Sequence, residues 1–185
     1  MRYDYVSNFQ VLSRAMHLLP PPLAALTFSR MPSTDLAPAY AIEKAGYPAD
    51  EAASRDQLEM RNREAPDYFW AAYADGQLVG FVCGTLSGAD KLTDESMSKH
   101  EADGTTLCIH SVVVTEALRR RKLATWMLQQ YLLAVREHGG AKRAVLLCKE
   151  HLVCLYEGAG FTLVGKSDVV HGADPWMEMQ LDLTA

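Results

Sequence analysis

Between residues 107 and 139 the apolar side chains change their spacing once, and that change dictates a strand, a turn and a helix in that order. Leu107 to Val114 is a near-continuous apolar run ending in consecutive valines, the pattern of a buried strand. From about Leu118 the spacing becomes helical: Leu123, Met127, Leu128, Tyr131, Leu132 and Val135 fall on one face, and Gly139-Gly140 ends the run. At the joint stand consecutive cations, Arg119, Arg120, Arg121 and Lys122. A helix N-terminus carries partial positive charge and unpaired N–H groups, so it ordinarily attracts Asp or Glu. Cations added to a positive helix end suit an anion that docks there, and phosphate is the commonest. The joint therefore points to a phosphorylated ligand.

The surrounding pattern is mixed. Residues 1–22 form an N-terminal extension that the prolines at 20–22 separate from the rest of the chain, and residues 23–185 make a single domain. Leu23 to Ser29 reads as a strand, with helices over Pro38 to Gly46 and Ala49 to Asn62. Tyr68 to Tyr73 and Leu78 to Leu86 form an antiparallel pair about Asp75-Gly76. A short helix is expected within Thr93 to His100. After the long helix come a strand over Ala144 to Cys148, a short helix over Leu152 to Gly158, and strands over Phe161 to Val164 and Trp176 to Leu183. The central β-α-β-α-β order gives the mixed α/β class, in which ligands bind where strands end and helices begin.

Charge and cysteine content narrow the function. The net charge of -5 argues against a chain that coats nucleic acid, and the cationic run lacks the interleaved aromatics of a single-strand binder. No apolar stretch reaches membrane-spanning length and no secretion leader is evident, so a soluble cytoplasmic protein is expected. Cys83, Cys108, Cys148 and Cys154 lie in apolar sequence without metal-ligand spacing, and read as small buried hydrophobes with no metal site.

Two residues could carry chemistry. His110 stands within the strongest strand, on one face with Cys108, Val112 and Val114 if the alternation is regular. It is either a core histidine bonded to a carbonyl or a general base. Tyr156 lies before Gly158-Ala159-Gly160-Phe161, and is either a packed aromatic or a general acid able to protonate a departing thiolate. The cations themselves could be a solvated helix start, a nucleic-acid contact or a cradle for compact phosphate.

Taken together, the segments Ala41-Ile42-Glu43, Gly76 to Phe81, Lys91 to Ser96, His110 to Val114, Arg119 to Ala124, Val145 to Lys149 and Tyr156 before Gly160-Phe161 resemble the GNAT superfamily of N-acetyltransferases, most nearly its arylalkylamine branch. The resemblance covers about residues 23–183. It implies a central mixed, mostly antiparallel twisted sheet flanked by helices, with acetyl-CoA bound where the central strands splay. It further implies that Val112, Val113 and Val114 hold the acetyl-pantetheine arm, and that Arg119, Arg120, Arg121, Lys122, Leu123, Ala124 and Thr125 surround the pyrophosphate. Tyr156 would meet the sulfur, His110 would remove a proton, and Tyr47, Pro48, Val112 and Leu147 would line the amine site. The partner would be a small-molecule amine, an arylalkylamine or a polyamine, and the chain a monomer or weak homodimer. Two positions depart from the family pattern: Lys122 stands where glycine is usual, and Cys108 where the arylalkylamine enzymes have a second histidine.

Overall fold

Asp75 and Gly76 both take positive φ, 51° and 76°, the geometry of the tight hairpin turn that such a pair favours. In a computed structural model, which describes residues 26–169 and 174–184, this turn joins β2 (Phe69–Ala74) to β3 (Gln77–Ser87). The extension expected over residues 1–22, and the start of the first strand, lie outside the described residues. Seven strands form one sheet in the order β1-β2-β3-β4-β5-β7-β6 among the described residues. The others are β1 (Leu26–Arg30), β4 (Thr106–Val114), β5 (Arg143–Cys148), β6 (Thr162–Lys166) and β7 (Met177–Asp182). Every pairing is antiparallel except β4 with β5. The mixed, mostly antiparallel architecture agrees with the expected one.

The helices are α1 (Leu36–Gly46), α2 (Arg55–Glu64), α3 (Asp94–Ser98), α4 (Leu123–His138) and α5 (Val153–Glu157). The second helix begins later than its composition suggests, because Ser54 and Gln57 form a reciprocal capping box that sets its first turn. The long helix also starts at Leu123 rather than near Leu118. Arg120 and Lys122 hold left-handed backbone (φ 62° and 60°), which a helix cannot contain, and Glu116–Leu118 forms a separate 3-10 turn. Its buried face carries every residue read from the spacing, with Trp126 in addition. That face packs on one side of the sheet with Leu107, Ile109, Val114 and Leu146, whereas Ala39, Leu58, Phe81, Cys83 and Val113 form a second core.

Two features of β4 position the site. It pairs with β5 only from Thr106 to Ile109, so among the described residues Ser111 to Val114 have a strand partner on the β3 side alone. Opposite, Cys83 pairs with Ser111 and Gly84 with Ile109, leaving His110 as the extra residue of a β-bulge. The bulge breaks the alternation expected of this strand. His110 shares a face with Cys108 but not with Val112 and Val114, which turn to the α4 side, while Val113 joins the other core.

The bulge depends on a missing side chain. A Cβ at Gly84 would stand 2.7 Å from the Cys108 carbonyl oxygen and 3.1 Å from the Tyr131 hydroxyl. Gly84→Ala is expected to destabilise the fold by about 1–3 kcal/mol, the range for overpacking. Denaturant unfolding checks this, and an unchanged midpoint would show that β3 and β4 can part without cost.

Candidate active site

Where β4 leaves β5 the sheet opens, and a cavity of about 410 Å³ follows the free edge. Val112, Val113 and Val114 form one wall, and Leu152, Leu155 and Tyr156 another. Arg119, Arg120, Lys122, Leu123, Ala124 and Thr125 close one end. The left-handed Arg120 and Lys122 turn the loop so that the helix N-terminus follows directly, and Lys122 occupies the cap position itself. Its positive φ explains why glycine suits this position, and the strain of a side chain there is about 1 kcal/mol.

The cations are not equivalent. Arg119 donates from Nε to the Val114 carbonyl at 3.1 Å and from a terminal nitrogen to the Ala45 carbonyl at 3.0 Å, so it ties the loop to β4 and α1. Arg120 and Lys122 are exposed at the cavity, whereas Arg121 is exposed and lines neither cavity at the β4 edge. The structure thus gathers all the residues of the expected phosphate loop except Arg121.

A second, smaller cavity of about 110 Å³ lies on the other side of the β4 edge. Its polar lining includes Glu43, Glu51, Arg61, His110 and Ser111, and its apolar lining Leu92, Met97, Leu147, Val169 and Trp176. Leu147 lines this cavity, whereas Pro48 is exposed and lines neither cavity. Tyr47 stands between the two. Its hydroxyl donates to the Val112 carbonyl at 3.3 Å and accepts from the Val112 N–H at 3.2 Å, spanning the backbone groups left free by β5. Burial and the nearby Glu43 charge hold its phenol well above the usual range.

His110 is held through Thr85. Its Nε2 lies 2.8 Å from Thr85 Oγ1, and the Thr85 hydroxyl donates to the Ser96 carbonyl, also at 2.8 Å. A hydroxyl has one proton and a carbonyl can only accept, so the network assigns the ring proton to Nε2 and a lone pair to Nδ1. Nδ1 is buried without a partner among the described residues. Burial, reinforced by the Arg61 charge, pushes the imidazole well below its ordinary 6.5. It is therefore neutral at neutral pH.

Tyr156 is 7% exposed, packs edge-on against Phe161, and has its phenol pushed far up by burial and, second, by Cys148. It therefore stays a neutral phenol. Cys108 is fully buried and its thiol is pushed up to about 11 by burial, so it stays a thiol. Cys83 and Cys148 are also buried, but Cys154 is exposed, against the expectation of four buried thiols. It lies on the outer face of a helix of little more than one turn.

Sequence reasoning did not find two parts of this site. Glu43, 1% exposed, accepts from the Ala53 N–H at 2.9 Å and the Ser111 hydroxyl at 3.0 Å. Burial pushes its carboxyl above the ordinary range, and its two hydrogen bonds and Arg61 oppose that. Lys149 lies 2.7 Å from Glu51 and 3.8 Å from the Trp176 ring, and donates to the Asp174 carbonyl at 3.0 Å. It clamps the segment after α1 to the segment before β7 across the smaller cavity. Only the apolar setting of the strand residue two before Lys149 hinted at this.

Among the described residues no cluster of three or more His, Cys, Asp or Glu side chains could hold a metal, and no helix is long and apolar enough to cross a membrane. The profile of the Acetyltransferase (GNAT) family matches residues 35–161. Serotonin N-acetyltransferase of Mesocricetus auratus is 33% identical over 118 residues, 64% of this chain and 57% of that protein, so the match spans little more than half the relative's length. Among solved structures, a GNAT-like decarboxylase in complex with isobutyryl-CoA superposes with a TM-score of 0.73 at 19% identity, covering 85% of this chain and 99% of that one. Diaminobutyrate acetyltransferase from Paenibacillus lautus, in complex with its substrate and coenzyme A, superposes with a TM-score of 0.63 at 15% identity over 85% and 95%.

Arg119→Ala is expected to lower stability by about 1 kcal/mol through loss of its two carbonyl contacts, and Arg121→Ala to leave it unchanged. Thermal unfolding of the two variants measures the difference, and equal effects would contradict the tie.

Proposed function

The chain belongs to the GNAT acetyltransferase family, and on that footing we propose that it transfers the acetyl group of acetyl-CoA to a primary amine by direct attack in a ternary complex. Arylalkylamines such as tryptamine or serotonin are the favoured substrates. The observation that carries this reading is that consecutive stretches of β4 line two cavities, the first up to Ser111 and the second from Val112, with Tyr47 of the first bonded to Val112 of the second. The second has cations and a helix start at its end, the first a neutral imidazole and an apolar wall. Apolar Leu92, Met97, Leu147 and Trp176 suit an aromatic ring better than a chain of charged amines, and Glu51 is already taken by Lys149.

The residues fit acetyl-CoA. The free β4 edge offers backbone groups for a pantetheine arm, while the N–H groups at the start of α4, with Arg120 and Lys122, offer donors for a pyrophosphate. Bound acetyl-CoA supplies the thioester. The Val112 N–H then polarises the thioester carbonyl, which requires the Tyr47 hydroxyl to leave that group first. An alkylammonium with a reference pKa of about 10 must lose a proton before it can attack. His110 Nδ1 takes that proton through water. The nitrogen–carbon bond forms, the carbon–sulfur bond breaks, and Tyr156 protonates the departing thiolate. The second proton shed by the new amide nitrogen restores the phenol. Cys108, protonated and buried, carries no acyl group.

Side-by-side assays with tryptamine and spermine test the reading, with tryptamine expected to be the better substrate. Coenzyme A binding without turnover of any amine would instead make the chain a non-catalytic acetyl-CoA-binding regulator. Tyr156→Phe is expected to cut turnover at least tenfold while coenzyme A affinity changes less than about threefold. The His110 imidazole is protonated only well below pH 6.5, so the acid limb of kcat/KM falls below that value and His110→Ala abolishes it. An inflection at 6.5, or a limb that survives the substitution, would remove His110 from the role. Tyr47→Phe leaves Val112 uncontested, and calorimetry is expected to give about fivefold tighter coenzyme A binding.

A further inference from the structure

Buried polar atoms nearly always have a hydrogen-bond partner, and those that lack one mark places where something else completes the pairing. Among the described residues the buried side-chain atoms without a partner are Glu43 Oε2, Arg61 Nε and His110 Nδ1, and all three residues line the smaller cavity. Glu43 and His110 present acceptors there. The Ala53 N–H and the Ser111 hydroxyl hold the first carboxylate oxygen of Glu43, which fixes the orientation of the second. The bulge puts His110 and Ser111 on the same face, so the imidazole lone pair and the carboxylate come from neighbouring points of one wall.

The other charged groups of the cavity have partners among the described residues, except at Arg61 Nε. Glu51 is paired with Lys149. The terminal nitrogens of Arg61 meet the Met97 carbonyl and the Cys83 sulfur, and among the described residues no ion pair within 4.0 Å joins Arg61 to Glu43. Arg61 offsets part of the cost of burying the Glu43 charge from a distance but gives Oε2 no hydrogen bond. What would complete the pairing of Glu43 Oε2 and His110 Nδ1 is a group with several N–H donors, small enough to enter beside an apolar wall.

We propose that Glu43 Oε2 and His110 Nδ1 together form an ammonium site, so that the charge of the incoming primary amine is read directly by Glu43. The inference rests on the amine-acetyltransferase reading and adds a specificity-determining residue to it. An alkylammonium donates one N–H to Glu43 Oε2 and another to the water that leads to His110 Nδ1, which holds its nitrogen on the β4 wall beside Ser111, one residue before Val112. An uncharged nucleophile of the same shape gains far less from the carboxylate, because hydrogen bonds between charged partners are the stronger ones.

Phenethylamine and O-benzylhydroxylamine are the probes, because they match in shape but only the first is cationic at neutral pH. Glu43→Gln keeps a carbonyl oxygen for Ala53 and Ser111 and removes the charge. The preference for phenethylamine in kcat/KM is expected to fall about 50-fold in this variant, the size of a lost buried charge pairing. A purely structural Glu43 would affect both nucleophiles alike, and an unchanged preference overturns the proposal. Calorimetry on the wild-type protein with coenzyme A present gives a second reading that needs no variant. Phenethylamine is expected to bind at least tenfold more tightly than O-benzylhydroxylamine, and equal affinities overturn the site. Should the wild type acetylate neither probe while still binding phenethylamine preferentially, the acetyltransferase reading falls and the ammonium site stands.

Discussion

Four residues of parallel pairing hold β4 against β5, and the rest of the site depends on their parting after Ile109. A strand in the middle of a sheet ordinarily spends every N–H and C=O on its neighbours. Here the groups beyond Ile109 on one side have no strand to meet, and such groups are costly to bury unmatched. The Tyr47 hydroxyl meets those of Val112 in this structure. The opening thus leaves an edge of β4 lined by the two cavities, with Tyr47 bonded at Val112.

The bulge at His110 is the second consequence of β4's geometry. It turns the imidazole toward the Thr85 hydroxyl and Ser111 toward Glu43, which places two acceptors on one cavity wall. Burial then acts oppositely on the two groups. It keeps the imidazole neutral and makes the carboxylate more basic than usual, because in each case the charged form is the one disfavoured. The Lys149, Glu51 and Trp176 cluster covers the cavity and matches one acidic charge internally, while Glu43 Oε2 has no hydrogen-bond partner among the described residues.

Much of this was legible in the residues themselves. The spacing from Leu123 to Val135 predicts the buried face of α4, and Asp75-Gly76 predicts the hairpin, because both follow from local periodicity and backbone preference. The cations at 119–122 mark the loop, although their separate uses were hidden. Arg119 serves the Val114 and Ala45 carbonyls, and the second lies far away in the chain. Regular alternation put His110 with Val112 and Val114, and failed because a bulge is decided by the partner strand at Cys83 and Gly84.

Local chemistry in the chain determined the class of fold, the cationic turn before α4 and the identities of His110 and Tyr156 as candidates. Tertiary structure alone decided which way His110 points, which of its nitrogens keeps a lone pair, and that Glu43 on α1 faces the same cavity. The reason is physical: period and propensity act over a few residues, whereas a bulge, a tautomer and an unmatched carboxylate are settled by groups brought together from distant parts of the chain.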